Sequence, residues 1–483
     1  MPKHGNRSNR VRANYVCGRV AAKRVGVLAL SSLWLAAGSA YAVTPLNTYF
    51  GPGLPLDNYF PEGVPGTADQ EDVTVRSRLR TDYNAQGIRE GAFIIKPSVD
   101  AQVGYNSNVV GGAQYGQGSS LLQTSASVSV NTDYSRNNLG LTAGVNDSRY
   151  WEVPRMSHTD YNVSFGGGWD LGRDQLDASV SFQSANEEPY DIGAEVANNA
   201  PTTTNNEIQL YKPLNYTDTD FRTSYTTTLG RFTLTPNADY QLLRFAHGDF
   251  TNVPIGSESS FNETLRDSNI LQGGVIGRYE FLPGRSALVV INGNYNTYSH
   301  GQNTSIGVVN STGLTFLTGL DYVLSGATTF RALGGYQERF FSSRNGGNQG
   351  APIGEADVIW NPTGLTTITA RYARTIEDAT TDSVTGYTYD RLSLIADHEL
   401  YRNILLQISG HYDKATYADS NLRQTQYGVG AGVTYLINRN LQAALSYQFV
   451  EHEGSGGDNN YNGGSYGNTF GQHVVTLNVR FGL

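Results

Sequence analysis

"HVVTLNVRFGL", residues 473–483, alternates apolar and polar side chains up to Leu483. The apolar face holds Val475, Leu477, Val479, Phe481 and Leu483, and the other face holds Val474, Thr476, Asn478 and Arg480. Alternation with period two is typical of a β-strand whose two faces meet different surroundings. Because the backbone groups of such a strand need hydrogen-bond partners, we expect this strand to be paired along its length.

The composition argues against a helical soluble protein. Charged residues make up 16% of the 483 residues, and the mean hydropathy is negative. The chain has 55 Gly and 31 Tyr but only two Met and one Cys, whereas a large soluble domain takes much of its core from Leu, Ile, Val and Met. Long helical patterns are missing, so the sequence predicts an all-β fold.

From Gly91 onward the chain repeats one unit of an alternating segment, a tight turn, a second alternating segment and a longer polar loop. The tight turns are predicted at Asn137-Asn138, Gly172-Arg173, Gly230-Arg231, Pro283-Gly284, Ser325-Gly326, Thr363-Gly364, Arg402-Asn403 and Asn438-Arg439-Asn440. Their residues take positive φ or preset a turn. With the longer Gly-, Asn-, Ser- and Asp-rich loops between them, they predict about 18 strands.

Strict alternation of short and long connections favours a transmembrane antiparallel up-and-down β-barrel with periplasmic turns and termini and long extracellular loops. The alternative is a water-soluble barrel or sandwich, which has no reason to alternate its connections. Tyr427, Val429 and Val433 are predicted to face outer-membrane lipid, and Gln426 and Gly432 the interior. The last strand is expected to close the barrel against "GAFIIKPSVDAQVGYNSN", residues 91–108.

The N-terminus predicts secretion. Residues 1–42 have a basic start, an apolar run from Val25 to Ala37 and a small-x-small site at Ala40 to Ala42, which is the pattern of a cleaved signal peptide. A transmembrane helix is the weaker alternative because the run is too short to span a bilayer. Residues 43–90 are rich in Pro and Gly and are predicted to form a periplasmic or plug segment, with the barrel over residues 91–483.

The start of the predicted barrel resembles a known family. "VTVRSRLRTDYNAQGIREGAFIIKPSVDAQVGYNSNV", residues 73–109, is similar to the start of the β-barrel porins of type 2, which are outer-membrane proteins of exopolysaccharide gene clusters in Gram-negative bacteria. The resemblance rests on Arg78, Arg80, Tyr83, Gly87, Ile88, Arg89, Gly91, Phe93, Pro97, Tyr105 and Asn108. It implies an outer-membrane barrel that passes, or helps to pass, a secreted polysaccharide outward. An export channel of this kind is expected to work with a periplasmic polysaccharide-export protein. The C-terminal strand resembles the signal that the barrel assembly machinery reads.

Strand parity also predicts which ionisable residues face the interior. The candidate lumen-lining residues are Lys96, Asp100, Asp220, Arg222, Asp239, Arg278, Arg331, Asp357, Arg371, Arg391, Asp397, His411, Asp413 and Arg480. Both signs of charge run along this wall, which suits either a field acting on a passing solute or a structural ladder of ion pairs between strands. The net charge of −9, which becomes more negative without the basic signal, disfavours nucleic acid as a partner.

Catalytic and metal-binding patterns are weak. "GGSYG", residues 463–467, fits a nucleophile motif around Ser465, but it lies in a Gly/Asn loop with no strand-to-helix elbow. His398, and His411 with Asp413, complete no Ser/His/Asp set. The segment from Asp458 matches half a calcium loop but lacks the closing Glu. We expect no enzyme activity, no catalytic or metal-ligating residues and no cofactor.

Three functions remain open from the sequence. An export channel for a secreted polysaccharide would need a plug, which the loops at residues 187–207 or 247–267 or the segment at residues 43–67 could supply. A general or sugar-selective diffusion porin would need no partner. A surface-loop adhesin or barrel enzyme would carry its chemistry in the extracellular loops. The family resemblance favours the export channel.

Overall fold

A computed structural model of the protein describes residues 74–483, apart from residues 77, 79, 188–206, 254–255, 262, 301–308, 324–326, 343–347, 379–385, 419–420 and 456–468. The predicted signal peptide at residues 1–42 and most of the Pro/Gly-rich segment lie outside the described residues. Both therefore stay predictions. Within the described part of the chain, no helix is long and apolar enough to cross a membrane.

The described chain is almost entirely antiparallel β-structure, with two short 3-10 turns at Pro154–Met156 and Glu263–Arg266. The strands are β1 (Ile88–Glu90), β2 (Phe93–Asn106), β3 (Ser119–Thr132), β4 (Asn137–Tyr150), β5 (His158–Asp170), β6 (Asp174–Glu187), β7 (Glu207–Leu210), β8 (Leu214–Leu229), β9 (Phe232–Phe245), β10 (Gly248–Val253), β11 (Ser257–Phe261), β12 (Ser268–Leu282), β13 (Arg285–Tyr298), β14 (Ser311–Val323), β15 (Thr328–Phe341), β16 (Gln349–Thr363), β17 (Thr366–Asp378), β18 (Gly386–Tyr401), β19 (Ile404–Tyr417), β20 (Arg423–Leu436), β21 (Leu441–Ser455) and β22 (Thr469–Gly482).

Eighteen of these strands form one closed barrel. Each barrel strand pairs with its neighbours in chain order, and β2 pairs with both β3 and β22, so the first and last strands complete the ring. The seam register runs from Ser98 opposite Gly482 to Asn106 opposite Val474. β1 extends one edge of β2, while β7, β10 and β11 form a separate three-stranded sheet within the longer loops. The predicted barrel and its closure are confirmed.

The tight turns fall at one end of the barrel, as predicted, with two corrections. The turn predicted at Thr363-Gly364 is formed by Gly364 and Leu365, because Thr363 is extended and pairs with Thr366. The first turn spans residues 133–136 rather than Asn137-Asn138, because both asparagines are extended and pair with Trp169 and Gly168 of β5. Positive φ values of 98° at Gly172 and 71° at Gly284 explain the glycines of two other turns. The predicted turn at residues 325–326 lies outside the described residues.

The predicted strand parity is visible in the exposure of the side chains. On the outer face, Ile408 of β19 is 66% exposed and Val433 of β20 is 43% exposed, whereas the adjacent Thr434 is only 3% exposed. Outward Tyr and Trp side chains, such as Tyr435 and Trp169, are also exposed. The outer surface is therefore an apolar band with aromatic residues, the surface that a lipid-embedded barrel presents.

Val433→Arg is expected to destabilise the folded barrel by about 2–4 kcal/mol, because it places a charge in lipid near mid-strand. Gly432→Arg is the matched control: the next residue points inward, between Gln407 of β19 and Ser446 of β21 in the register. The folded fraction on unheated gels and its urea midpoint measure the difference. Equal losses in the two variants would contradict the assignment of the faces.

Candidate functional site

The barrel interior is the candidate site, and the structure places all of the predicted lumen-lining residues on the strand face opposite the exposed apolar band. Most of them meet an opposite charge there. Arg222 of β8 lies 2.6 Å from Asp220 and 2.8 Å from Asp239 of β9. On β12, Arg278 lies 3.0 Å from Asp321 of β14. These side chains neutralise one another along the wall.

Five more of the predicted residues join the same pattern. Arg331 lies 3.6 Å from Asp321, and Arg371 lies 3.4 Å from Asp357. Arg480 lies 3.9 Å from Asp100 across the seam of the barrel. The structure thus favours the interpretation of these residues as an ion-pair ladder, while their role in conducting a solute stays a prediction.

The ion pair of Arg391 and Asp413 has two further polar neighbours, Tyr389 and His411. Their side chains are 3.2 Å apart, and the hydroxyl of Tyr389 donates to Asp413 over 3.1 Å while accepting from Arg391 over 2.9 Å. His411 Nε2 lies 3.8 Å from Asp413. Lys96 of β2 lies opposite Ser129 of β3 in the register.

The segment before β1 enters the periplasmic mouth of the barrel. Arg76 Nε lies 2.6 Å from Asp397 Oδ1, and Arg80 Nη2 lies 2.6 Å from Glu399 Oε2, so two inward carboxylates of β18 hold two arginines of the segment. Burial lowers the pKa of the Arg76 guanidinium, against the opposing effect of Asp397. We call the described residues between 74 and 85 the mouth segment.

Apolar and backbone contacts also anchor the mouth segment. Val75 is buried against Leu405 of β19 and Leu436 of β20. Its backbone N–H donates to Thr367 Oγ1 over 2.9 Å, and Arg80 donates to the Val75 carbonyl over 2.7 Å. The mouth segment is therefore a packed part of the interior wall.

Apolar side chains also fill part of the extracellular half of the interior. Inward residues of β8, β9 and β12 pack in one cluster with inward residues of β18 and β19, which lie six or more strands away around the ring. The cluster holds Leu214, Tyr216, Leu243, Phe245, Ile270, Tyr387, Tyr389, Ala415, Tyr417 and Leu422. Distant walls of the barrel therefore touch, and the passage is narrowed on this side.

A second apolar cluster lies at mid-height on β13 to β17 and was missed by the sequence analysis. It holds Leu288, Val290, Leu317, Leu333, Ala351, Ile353 and Ile376. The signal was present: residues 288–291 read Leu-Val-Val-Ile, and an unbroken apolar run is typical of a strand that is buried on both faces. The interior is thus not polar throughout.

The loop between β9 and β12, one of the predicted plugs, is described in part. Arg266 packs 4.3 Å from the ring centroid of inward Phe245 and lies 3.1 Å from Glu187 at the end of β6. Burial raises the pKa of Glu263, and nearby Arg266 opposes that shift. This loop therefore covers the apolar cluster at the extracellular end. The other two predicted plugs lie almost wholly outside the described residues.

Neutral polar side chains make up part of the accessible inner surface. Ser127 of β3 and Asn162 of β5 face inward and are exposed, while Ser125 and Thr142 are half-buried. These hydroxyl and amide side chains lie on β3, β4 and β5, strands that contribute no residue to the two apolar clusters described above.

The weak catalytic and metal patterns lie only partly within the described residues. His398 Nδ1 lies 3.0 Å from Thr366 Oγ1 on the neighbouring strand. Ser465 and most of the possible calcium loop lie outside the described residues. Among the described side chains, no group of three or more His, Cys, Asp and Glu residues is placed to hold a metal ion.

Comparison with solved structures finds other outer-membrane barrels. OccAB3 of Acinetobacter baumannii is 8% identical, covers 80% of this chain and 99% of its own, and has a TM-score of 0.40. OccK2 of Pseudomonas aeruginosa, solved with glucuronate, is 12% identical over 82% of this chain and 100% of its own, with a TM-score of 0.39. The FrpB iron transporter of Neisseria meningitidis is 9% identical over 82% of both chains, with a TM-score of 0.43.

The family assignment comes from the sequence as a whole. No curated protein matches the chain. The family model described as "Putative beta-barrel porin 2" matches residues 80–480, which include seventeen of the eighteen barrel strands in full, all but the last two residues of β22, and Arg80 of the mouth segment. With its closed barrel and apolar outer band, the chain is an outer-membrane β-barrel of the porin type and belongs to the Putative beta-barrel porin 2 family.

Proposed function

We propose that this protein is a gated outer-membrane channel for the export of a secreted polysaccharide, working with a periplasmic and inner-membrane synthesis and export system. The observation that carries the proposal is the mouth segment, which the barrel holds in its periplasmic opening through Asp397 and Glu399. An occupied mouth suits a channel that opens when a polymer arrives from the periplasm.

Two further features support a sugar polymer as the cargo. The start of the barrel resembles porins of exopolysaccharide gene clusters. The accessible inner wall carries hydroxyl and amide groups such as those of Ser127 and Asn162, which can donate to and accept from sugar hydroxyls.

A diffusion porin for small solutes is the second candidate. The observation that favours it is the mixed-charge wall, in which Arg222 lies between Asp220 and Asp239. Opposite charges along a water-filled wall set the field that a small ion or charged sugar experiences. Such a porin needs no partner and no releasable segment.

The export function is tested by deleting the gene in its native host and complementing it with the wild-type chain. We expect polymer to disappear from the cell exterior and to return on complementation, with uptake of small sugars unchanged throughout. Normal surface polymer in the deletion strain, together with high constitutive conductance of the purified protein in planar bilayers, would favour the diffusion porin instead.

A further inference from the structure

One part of the barrel wall is free of charge. The inward positions of β3, β4 and β20, three strands that are described in full, carry no Lys, Arg, His, Asp or Glu. Between β20 and β3 lie β21, β22 and β2, the strands of the seam, whose inward ionisable side chains are Lys96, Asp100, His452 and Arg480. The neutral face of β3 and β4 adjoins these strands.

Five amide side chains on the three strands at the seam are buried with polar atoms that find no partner among the described residues. Their exposed fractions run from 1% to 6%. The atoms are Gln102 Oε1, Gln442 Oε1, Gln448 Nε2, both amide atoms of Gln472 and both amide atoms of Asn478. We call these five residues the amide track.

The amide track runs along the barrel axis. Gln442 and Gln448 lie six residues apart on β21, and Asn478 and Gln472 lie six residues apart on β22. Six residues of strand span about 20 Å, which is most of the height of the apolar band of an outer-membrane barrel, about 25 Å. Asn478 lies opposite Gln102 across the seam, so the track is continuous over the three strands.

The hydrogen-bonding groups of the amide track indicate which class of ligand it binds. A buried amide with no hydrogen bond is costly, so a wall that keeps five of them has partners for them, either water or a ligand. Each amide offers both donors and an acceptor, and a sugar hydroxyl offers the same pair in return. The nearby charged groups, such as Arg480 and Asp100, are paired with each other. Apart from Lys96 near the periplasmic end of β2, the inward side chains of these three strands offer an anionic chain no cation that lacks an acidic partner among the described residues.

We propose that the amide track is the contact surface for the chain in transit, and that this chain is an uncharged, hydroxyl-rich glycan. The inference rests on the proposed export function and adds the class of polymer and the wall that it follows. Opening of the passage beside β3 would bring the glycan hydroxyls against the amides of β21, β22 and β2.

The test replaces two amides by an apolar side chain of similar size, in the variant Gln448→Leu/Gln472→Leu of the full chain. The control is Gln175→Leu, an inward glutamine on β6 whose amide donates to Asp177 over 2.9 Å. The probes are maltohexaose as a neutral glycan and hexagalacturonate as an anionic one. Binding to the purified barrels in detergent is measured by calorimetry, and their thermal unfolding is recorded in parallel.

We expect wild type and the control to bind maltohexaose in preference to hexagalacturonate, and the double variant to bind it at least tenfold more weakly. The double variant should unfold at the same or a higher temperature, because amides without protein partners leave no broken bond when removed. A lower unfolding temperature with unchanged glycan binding would show that the amides hold structural water and would overturn the proposal. Absence of maltohexaose binding to wild type, or a preference for hexagalacturonate, would also overturn it.

Complementation of the deletion strain separates this inference from the export function. If the wild-type gene restores surface polymer and the double variant restores much less, the export function and the role of the amide track are both supported. If both genes restore it equally, the amide track is not the contact surface although export stands. If the deletion leaves surface polymer unchanged, the export function itself fails.

Discussion

Replacing Asp397 by Asn together with Glu399 by Gln is expected to raise the rate of trypsin cleavage at Arg76 and Arg80 at least 100-fold. The wild-type carboxylates hold these arginines at 2.6 Å in the periplasmic mouth. Removing one partner of a buried ion pair costs about 3–5 kcal/mol because it leaves an uncompensated charge. The mouth segment can avoid that cost by leaving the barrel, and proteolysis then follows the population of the released state.

The control for this prediction is Asp133→Asn. Asp133 pairs with Arg89 just after the mouth segment, but the two side chains are 52% and 60% exposed, so their interaction contributes little. Cleavage should stay at the wild-type rate in this variant. The Asp397/Glu399 variant, with its mouth segment released, should also show a higher mean conductance in planar bilayers than the control. Slow cleavage in the Asp397/Glu399 variant would mean that the carboxylates do not hold the segment.

Asp378→Asn is expected to lower the free energy of unfolding of the barrel by about 3–5 kcal/mol. Arg339 and Asp378 form an ion pair inside the barrel, with side chains that are 1% and 2% exposed. Asn296 Nδ2 and Ser311 Oγ each donate to Asp378 over 2.8 Å, so the carboxylate joins three strands. Without its charge, the Arg339 guanidinium stays buried and unpaired. Urea unfolding in lipid vesicles measures the change.

Two further variants define the cause of that loss. Asp357→Asn removes a carboxylate from the more exposed pair with Arg371 and should cost about 0–1 kcal/mol. Arg339→Met combined with Asp378→Leu removes both buried charges and should recover most of the stability, because an apolar pair of similar volume often replaces a buried ion pair without loss. If Asp378→Asn costs no more than Asp357→Asn, the buried pair is not what stabilises this wall.

Much of the barrel could be predicted from the sequence because its information is local. Period-two alternation, as in residues 427–435, fixes which side chain meets lipid, and turn residues such as Gly172 and Gly284 mark the short connections. The first predicted turn shows where local sequence information fails. Asn137 and Asn138 are good turn residues, but pairing with β5 extends both of them, and residues 133–136 make the turn instead.

The contents of the interior could not be predicted in the same way, because they depend on contacts between distant strands. Parity places Tyr387 and Ile270 on the inner face but does not indicate that their walls meet. The mouth segment shows the same limit. Arg76 and Arg80 are visible in the sequence, but their partners lie more than 300 residues away on β18. No local pattern indicates that these residues pair.

The seam between β2 and β22 has a consequence for the kinetics of assembly. Its register joins Ser98 to Gly482, so the ring closes by bringing together the two most distant strands of the barrel. For a flexible chain of this length, joining the ends costs roughly 5 kcal/mol of entropy. Until that happens, every partly formed sheet has two open edges that can pair with other chains. A chain whose ring is still open is therefore the form most prone to pair with other chains, and pairing of β22 with β2 removes the last open edges.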